Sequence, residues 1–453
     1  MTSRLLRTAI ATIAVAGVTA LAACAPSAGD SGSKSSKDQK VSTDISDAPK
    51  QTLTVWDQEV RGGQNKQIEQ LNKAFMEKYP NIKIERKSQS FDDLQTTLRL
   101  ALTGNDAPDV VQANNARNTL GQFVSSDQVR CLDPWAKAYG WEDRYSESIL
   151  KFSKYSEDAK KFGEGCVYGL PQMGEVVGIF YSKKKLKELG LSEPKTWEEF
   201  SDQLKTIKDK DETPLVLGNV EKWPGLHVYG PVQGAHVDAD TINTLAFGNP
   251  GASWNTKENV AAAKQLQDWA DSGYFNDGFN GADYDKVWQN FSQGDGVYLI
   301  GGSWLAADLS DAMGDDVAFM APPQAKGHDK VATTGGTGLP FAMTSAAEDQ
   351  NVAAAYIDFL TSDDAMKVLA DTGNVPVNKT ADFADGQDGV VADVMKTFTE
   401  VSTKGDLLPY LDYATPTFDQ VAGDAVQGLL DKKLTPEKFN NKLEKAYKEF
   451  TKK

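Results

Sequence analysis

Three cysteines, three histidines and 64 carboxylates are the groups in this 453-residue chain that could serve as nucleophiles, metal ligands or proton carriers. Their spacing points away from catalysis. The sequence contains no G-x-S-x-G nucleophile elbow, H-E-x-x-H zinc pair, G-x-x-x-x-G-K-[ST] phosphate loop or G-x-G-x-x-G dinucleotide loop. His227, His236 and His328 lack metal-ligand spacing. Asp277 to Gly281 and Asp382 to Asp388 are only loosely like calcium loops, because neither keeps the alternation of oxygen ligands such a loop requires. No metal or cofactor is therefore expected. With so many acids, chance carboxylate pairs are inevitable, so a glycosidase pair has no legible signature. The 48 Lys and Arg against 64 Asp and Glu, a net charge of −16, exclude a nucleic-acid surface, which needs clustered cations.

Cys24 is the cysteine with a chemical context. Arg4 and Arg7 precede an uncharged, largely apolar stretch from Thr8 to Ala23, which ends Leu21-Ala22-Ala23-Cys24. A positive n-region, an apolar h-region and small residues before a cut describe a secretory signal peptide over residues 1–23. The stretch is shorter than the roughly 20 apolar residues of a spanning helix. Leu-Ala-Ala-Cys resembles the bacterial lipobox, which implies a palmitate-bearing Cys24 on the outer face of the cell membrane. Residues 24–50 are rich in Ser, Gly, Asp and Lys and have no aromatic residue, so a flexible tether is expected there. Loss of Arg4 and Arg7 with the signal peptide makes the mature chain two units more negative, and an acidic body should stand off an anionic membrane. With Cys24 taken by lipid and the body exported, Cys131 and Cys166 become an expected disulfide pair, two separate buried thiols being the alternative.

The body that follows alternates short apolar runs with amphipathic ones. Leu53 to Trp56 reads as a strand, Asn65 to Tyr79 as a helix with Ile68, Leu71, Phe75 and Met76 on one face, and Ile82 to Glu85 as a second strand. Leu94 to Leu102 is a second helix and Pro108 to Val111 opens a third strand, an α/β pattern with right-handed crossovers and a parallel sheet. The alternation resumes with Val176 to Tyr181, helices at Lys183 to Leu189 and after Thr196, and strands at Leu215 to Gly218 and Val297 to Ile300. A strand at Leu339 to Met343, a helix at Ala353 to Leu360 and a helical end from Phe418 to Phe450 complete it. Some 400 folded residues exceed one usual core, so two α/β lobes are expected. Ligands of open sheets bind outside the carboxyl ends of the strands, which places a site in a cleft between the lobes.

Several runs occur in a characteristic order: Leu53 to Trp56, Phe75-x-x-x-Tyr79-Pro80-Asn81-Ile82-Lys83-Ile84, Ala107-Pro108-Asp109-Val110-Val111 and Tyr168-Gly169-Leu170-Pro171. Ile179-Phe180-Tyr181-Ser182, Pro194-Lys195-Thr196-Trp197-Glu198-Glu199-Phe200, Gly301-Gly302-Ser303-Trp304 and Gly373-Asn374-Val375-Pro376 follow. From about residue 51 to 453 the chain resembles the extracellular solute-binding lipoproteins of bacterial ABC importers, above all the maltose-binding-protein-like group (family 1) that captures oligosaccharides. That resemblance implies a two-lobed periplasmic-binding-protein fold with a ligand cleft and three hinge crossovers, near residues 174–179, 334–338 and 374–378. The N-terminal lobe would comprise 51–175 and 335–375, and the C-terminal lobe 176–334 and 376–453. It implies a non-catalytic, monomeric receptor that delivers its sugar to ABC-transporter permease subunits.

The resemblance also implies the ligand shell. Trp304, just after a strand, matches a sugar-stacking aromatic, and Trp223 in Glu221-Lys222-Trp223-Pro224-Gly225 is expected on a cleft loop, with His227 beside it. Trp197 and Trp269 lie on periodic helices and are expected in the core. Gln58 and Glu59 follow the first strand; Asn114, Asn115 and Arg117 follow the third; amides suit sugar hydroxyls because they both donate and accept. Gln172, Glu175, Asp412 and Tyr413 complete the polar set, and Gly336, in Gly335-Gly336-Thr337-Gly338, is a candidate for close backbone approach. Ala113 and Ala116 stand where the maltose-binding pattern has an aromatic and an Asp, and Phe418 where it has a stacking Trp, so maltose itself is not implied. Rival readings are a receptor for a cationic solute such as a polyamine, a cell-surface carbohydrate-active enzyme, and a structural adhesin.

Overall fold

The computed structural model describes residues 40–104 and 106–452. The expected signal peptide and the lipid site at Cys24 lie outside the described residues. The first sheet contains β1 (Gln51–Asp57), β2 (Ile82–Ser88), β3 (Val110–Gln112) and β11 (Phe341–Met343), in the order β11-β3-β1-β2. β1 runs parallel to both β2 and β3. Leu53 and Val55 alternate inward on β1 and meet Ile68, Leu71 and Phe75 of α1 (Gly62–Lys78). Val352, Tyr356, Ile357 and Leu360 of the helix Gln350–Leu360 close this core. α2 (Phe91–Ala101) starts where the Ser90 hydroxyl accepts the Asp93 N–H at 3.2 Å, and it buries Leu94 and Leu98.

The second sheet has the order β12-β10-β6-β8-β7, with β9 also on β6. Its strands are β6 (Gly174–Ser182), β7 (Leu215–Val216), β8 (Tyr298–Gly302), β9 (Val317–Met320), β10 (Ala332–Thr337) and β12 (Asp406–Leu408). All nine residues of β6 are buried, as a strand covered on both faces should be. Val176, Phe180, Leu299 and Phe319 pack against Val390, Val394, Met395 and Phe398 of the helix Gly389–Thr403.

The sheets are mixed rather than parallel. β6 is antiparallel to β8, β9 and β10, and β11 is antiparallel to β3. The reason is the route of the chain. It enters the second lobe along β6 and leaves it along β10, so two adjacent strands passing through one neck must run in opposite directions. Three segments share that neck. Leu170 exchanges backbone hydrogen bonds with Phe341 (3.0 and 2.9 Å), the Gly174 N–H donates to Val375 O (3.0 Å), and the Val377 N–H donates to Gln172 O (2.9 Å). Residues 335–337, expected in the N-terminal lobe, pair with β6, and Gly174 and Glu175 likewise lie in the second sheet.

The expected tether also ends earlier than residue 50. Ile45 is 3% exposed within the first-lobe core, and the Ser42 N–H donates to Asn351 Oδ1 (3.0 Å). Asn81 Nδ2 donates to the Ala48 carbonyl at 2.7 Å. Two apolar anchors, Val41 and Ile45, suffice to dock a polar stretch whose composition alone reads as loose. A disulfide joins Cys131 to Cys166 with the Cα atoms 5.7 Å apart. The C-terminal helical run is two helices, Phe418–Leu430 and Pro436–Thr451, the second capped by the Thr435 hydroxyl. Among the described residues no helix is long and apolar enough to cross a membrane.

Candidate functional site

A cavity of about 230 Å³ lies between the two sheets, lined by Gln58, Arg61, Gln64, Phe91, Asn114, Glu175, Trp223, His227, Trp304, Tyr410, Asp412 and Tyr413, among others. Half of these follow strand carboxyl ends: Gln58 after β1, Asn114 after β3, Trp304 after β8, and Tyr410, Asp412 and Tyr413 after β12. That is where an open α/β sheet leaves its crevice.

The aromatic part of the wall is continuous. Trp223 opens the helix Trp223–Gly234, and His227 stands one turn later on the same face, their rings 5.0 Å apart. His227 touches Trp304 at 5.4 Å and Tyr410 at 5.1 Å, and Tyr410 touches Tyr413 at 5.5 Å. Trp304 Nε1 donates to the Tyr284 hydroxyl at 2.9 Å, fixing the ring. Gly302 permits that pose, because a Cβ there would lie 2.0 Å from the indole. Trp223 was expected on a loop; its Pro224 instead occupies the first helical turn, where a missing N–H is harmless, so the breaker marks a helix start. Trp197 and Trp269 are buried against each other, 5.8 Å apart, in the core.

The polar part is held from behind. Arg86 grips buried Asp57 with two hydrogen bonds of 2.6 and 2.7 Å and donates to the Glu59 carbonyl. Gln112 then accepts the Gln58 N–H at 2.9 Å and donates to Glu59 Oε1 at 2.7 Å, so the loop after β1 presents Gln58 to the cavity. Glu175 Oε2 accepts the Tyr410 hydroxyl at 2.8 Å, yet burial pushes its carboxyl up to about 7. Burial has the same effect on Glu59 and Asp412, each raised to about 7. His227 is driven down to about 3 by burial and is therefore neutral. Arg61 Nε, Gln64 Oε1 and His227 Nδ1 are covered without a partner among the described residues. A covered polar atom left unpaired costs roughly 1–3 kcal/mol, so this wall favours a ligand rich in hydrogen-bonding groups.

At the mouth the lobes touch. Arg61 Nη2 reaches Asp285 Oδ1 at 2.8 Å, and that oxygen also accepts Trp288 Nε1 at 2.8 Å. The Gly62 N–H donates to Asp308 Oδ1 at 3.2 Å. Gly63 allows this approach, since a Cβ would stand 2.5 Å from that of Ala307.

Eight expected residues thus meet on one wall: Gln58, Asn114, Glu175, Trp223, His227, Trp304, Asp412 and Tyr413. Five do not line it. Glu59 lies behind Gln58. Asn115 donates to Phe152 O at 2.8 Å. Arg117 binds the carbonyls of Ala159, Lys160 and Phe247. Gln172 donates to Leu360 O at 2.8 Å, and Gly336 faces Phe152. Arg61 and Tyr410 fall in the loops after β1 and β12 that the resemblance gave to ligand, while Gln64 and Phe91 drew no expectation from sequence. Their signal is position: each sits in a loop or first helical turn after a strand.

A family profile described as bacterial extracellular solute-binding protein matches residues 62–367. The chain is 27% identical over 307 residues to the multiple sugar-binding protein of Streptococcus mutans, covering 66% of this chain and 69% of that protein. It is 25% identical over 358 residues to maltodextrin-binding protein MdxE of Bacillus subtilis, covering 77% and 79%. Among solved structures, a chitin oligosaccharide binding protein shares the fold with a TM-score of 0.74 at 22% identity, over 89% of this chain and 99% of that one.

Proposed function

Because the chain belongs to the bacterial extracellular solute-binding protein family, we propose that it is the capture component of an ABC importer, taking an oligosaccharide into the interlobe cleft and delivering it to a membrane permease. The observation that carries this reading is the wall itself, on which the rings of Trp223, His227, Trp304, Tyr410 and Tyr413 alternate with the polar groups of Gln58, Gln64, Asn114, Glu175 and Asp412. A pyranose has an apolar C–H face that stacks on such rings and an edge of hydroxyls that both donate and accept. The similarity to proteins named for multiple sugars and maltodextrin supports the same ligand class.

Capture then works by differential affinity. Ligand satisfies groups from both lobes at once, so it favours the form in which Arg61 and Gly62 meet Asp285 and Asp308, and the permease reads that form. The protein acts as a monomer without turning its ligand over, and acylation of Cys24 holds it on the outer face of the membrane. Calorimetric titration with a panel of maltodextrins, raffinose-type and chitin-type oligosaccharides should find at least one saturable binder. Accumulation of cleaved products in the same mixtures would overturn the receptor reading in favour of an enzyme. Mass spectrometry of the mature protein should find a diacylated or triacylated Cys24 at the N-terminus; an unmodified residue would remove the anchor.

A further inference from the structure

We propose that Arg117 is a positioning residue for capture: a clasp that ties the chain after β3 in the first lobe to the second lobe and so sets where Tyr413 stands in the cavity wall. The role rests on the capture reading above, while the contacts stand on geometry alone. Arg117 opens the helical turn Arg117–Gly121, three residues beyond Asn114 of the cavity, and is 3% exposed. Its Nη1 donates to the carbonyls of Ala159 and Lys160 in its own lobe, both at 3.1 Å. Its Nη2 donates across to Phe247 O at 2.9 Å. The guanidinium carbon stands 4.8 Å from the centre of the Phe450 ring, on the helix Pro436–Thr451 of the second lobe, and 5.8 Å from that of Phe162 in the first. Around this crossing the lobes meet on rings. Phe247 packs on Phe152 at 5.7 Å and on Phe162 at 5.1 Å, and Phe162 packs edge-on against Tyr413 at 5.8 Å. The Tyr413 hydroxyl also donates to Asn115 Oδ1 at 3.4 Å. Tyr413 lines the cavity, so this seam and the ligand wall share a side chain.

Two features separate a clasp from an ordinary buried arginine. The first is the loop that supplies the first-lobe carbonyls. Ala159 has a φ of 52°, a left-handed conformation that a residue with a Cβ adopts only at a cost. Asp158 Oδ1 accepts the Ser156 hydroxyl at 2.7 Å and the Lys160 N–H at 3.1 Å, and Ser156 O accepts the Ala159 N–H at 2.7 Å. The loop is thus held so that two successive carbonyls converge on Nη1, and the guanidinium is aimed from the first lobe by bonds within that lobe. Only its contacts with Phe247 and Phe450 depend on how the lobes sit. The second feature is the choice of partner. All three acceptors are neutral backbone carbonyls. Burial draws the guanidinium's pKa below its ordinary value, and no carboxylate among the described residues opposes it. A carboxylate on the second lobe would be stranded as a bare charge whenever the lobes part. A carbonyl simply exchanges the guanidinium for water, so the contact is one that can be made and broken.

The test compares the full chain with Arg117→Met, Phe450→Ala and the double variant, by small-angle scattering without sugar and by calorimetry with maltotriose, raffinose and a chitin trisaccharide. Both single variants should scatter as more expanded particles than the unaltered protein. Whichever trisaccharide binds the unaltered protein should bind Arg117→Met about tenfold more weakly, the loss of one charge-assisted hydrogen bond. It should bind Phe450→Ala about threefold more weakly, the loss of one cation–π contact. The double variant should be no weaker than Arg117→Met, because both changes break the same clasp. Phe450→Ala leaves every hydrogen bond of the guanidinium in place, so it decides the matter even where Arg117→Met fails to fold. A folded variant that matches the unaltered protein in both profile and affinity overturns the clasp, and so does tighter binding by Arg117→Met. Fully additive losses in the double variant overturn it as well. If none of the three sugars binds a protein that melts cooperatively, the oligosaccharide reading fails instead, and the scattering profiles still decide the clasp.

Discussion

Replacing Glu175 with Gln should stabilise the ligand-free protein at about pH 8 and leave it almost unchanged at about pH 4. In the fold this carboxyl is 9% exposed, and burial raises its pKa from 4.5 to about 7, against a smaller opposing pull from the Tyr410 hydroxyl. In the unfolded chain it titrates near its ordinary value. Between those two values the unfolded chain has released a proton that the folded chain still holds. Stability therefore falls as pH rises from about 4.5 towards about 7, and the loss is complete once the folded carboxyl is ionised. At about 1.36 kcal/mol per pKa unit, that gap corresponds to ~3 kcal/mol. Glutamine keeps the shape and can still accept the Tyr410 hydroxyl, but it carries no charge to desolvate. Urea unfolding followed by tryptophan fluorescence, at half-unit steps across this range, gives both curves. The variant should be flatter, and the two should diverge by up to ~3 kcal/mol on the alkaline side. Parallel curves would mean that Glu175 titrates as a solvated acid, and the burial described for it would be wrong.

Trp304→Ala should weaken sugar binding at least tenfold, on the order of 1.4 kcal/mol, and unchanged affinity by calorimetry would take the indole out of the site. Arg61→Ala removes the ion pair and ring contact that bridge the mouth, so small-angle scattering should show a more expanded ligand-free protein; an identical profile would deny Arg61 a part in closure. Reducing the Cys131–Cys166 bond should lower stability by roughly 2–4 kcal/mol without altering sugar affinity, since neither residue lines the cavity. Thermal melts with and without reductant, followed by titration, test both halves of that expectation.

The residues legible in sequence were those whose placement depends on near neighbours. Trp304 follows an apolar strand directly, and the family resemblance implied a ligand-facing aromatic at that step. The α1 face formed by Ile68, Leu71 and Phe75 is likewise a local pattern. What sequence hid was direction. Glu59 and Asn115 sit on loops after strands and Arg117 opens a helical turn, as ligand contacts could, yet their partners are Gln112, Phe152 and Phe247, distant in the chain. A loop residue turns inward or outward according to what arrives from elsewhere. The amide or guanidinium that suits a sugar hydroxyl suits an orphan carbonyl equally well. The same limit applies to Arg61, whose partner Asp285 belongs to the other lobe.

The docked segment from Val41 to Lys50 has a mechanical consequence. Ser42 is bonded to Asn351, Ala48 to Asn81, and Ile45 is wedged into the first-lobe core. Any load arriving along the backbone from the N-terminal side is thus delivered to the first lobe before it reaches the neck. Under the proposed anchoring through Cys24, that lobe would be the mooring, and the second lobe, with its two C-terminal helices, would be the jaw. Tethering the protein by its C-terminus would exchange those parts, holding the jaw and leaving the mooring to travel.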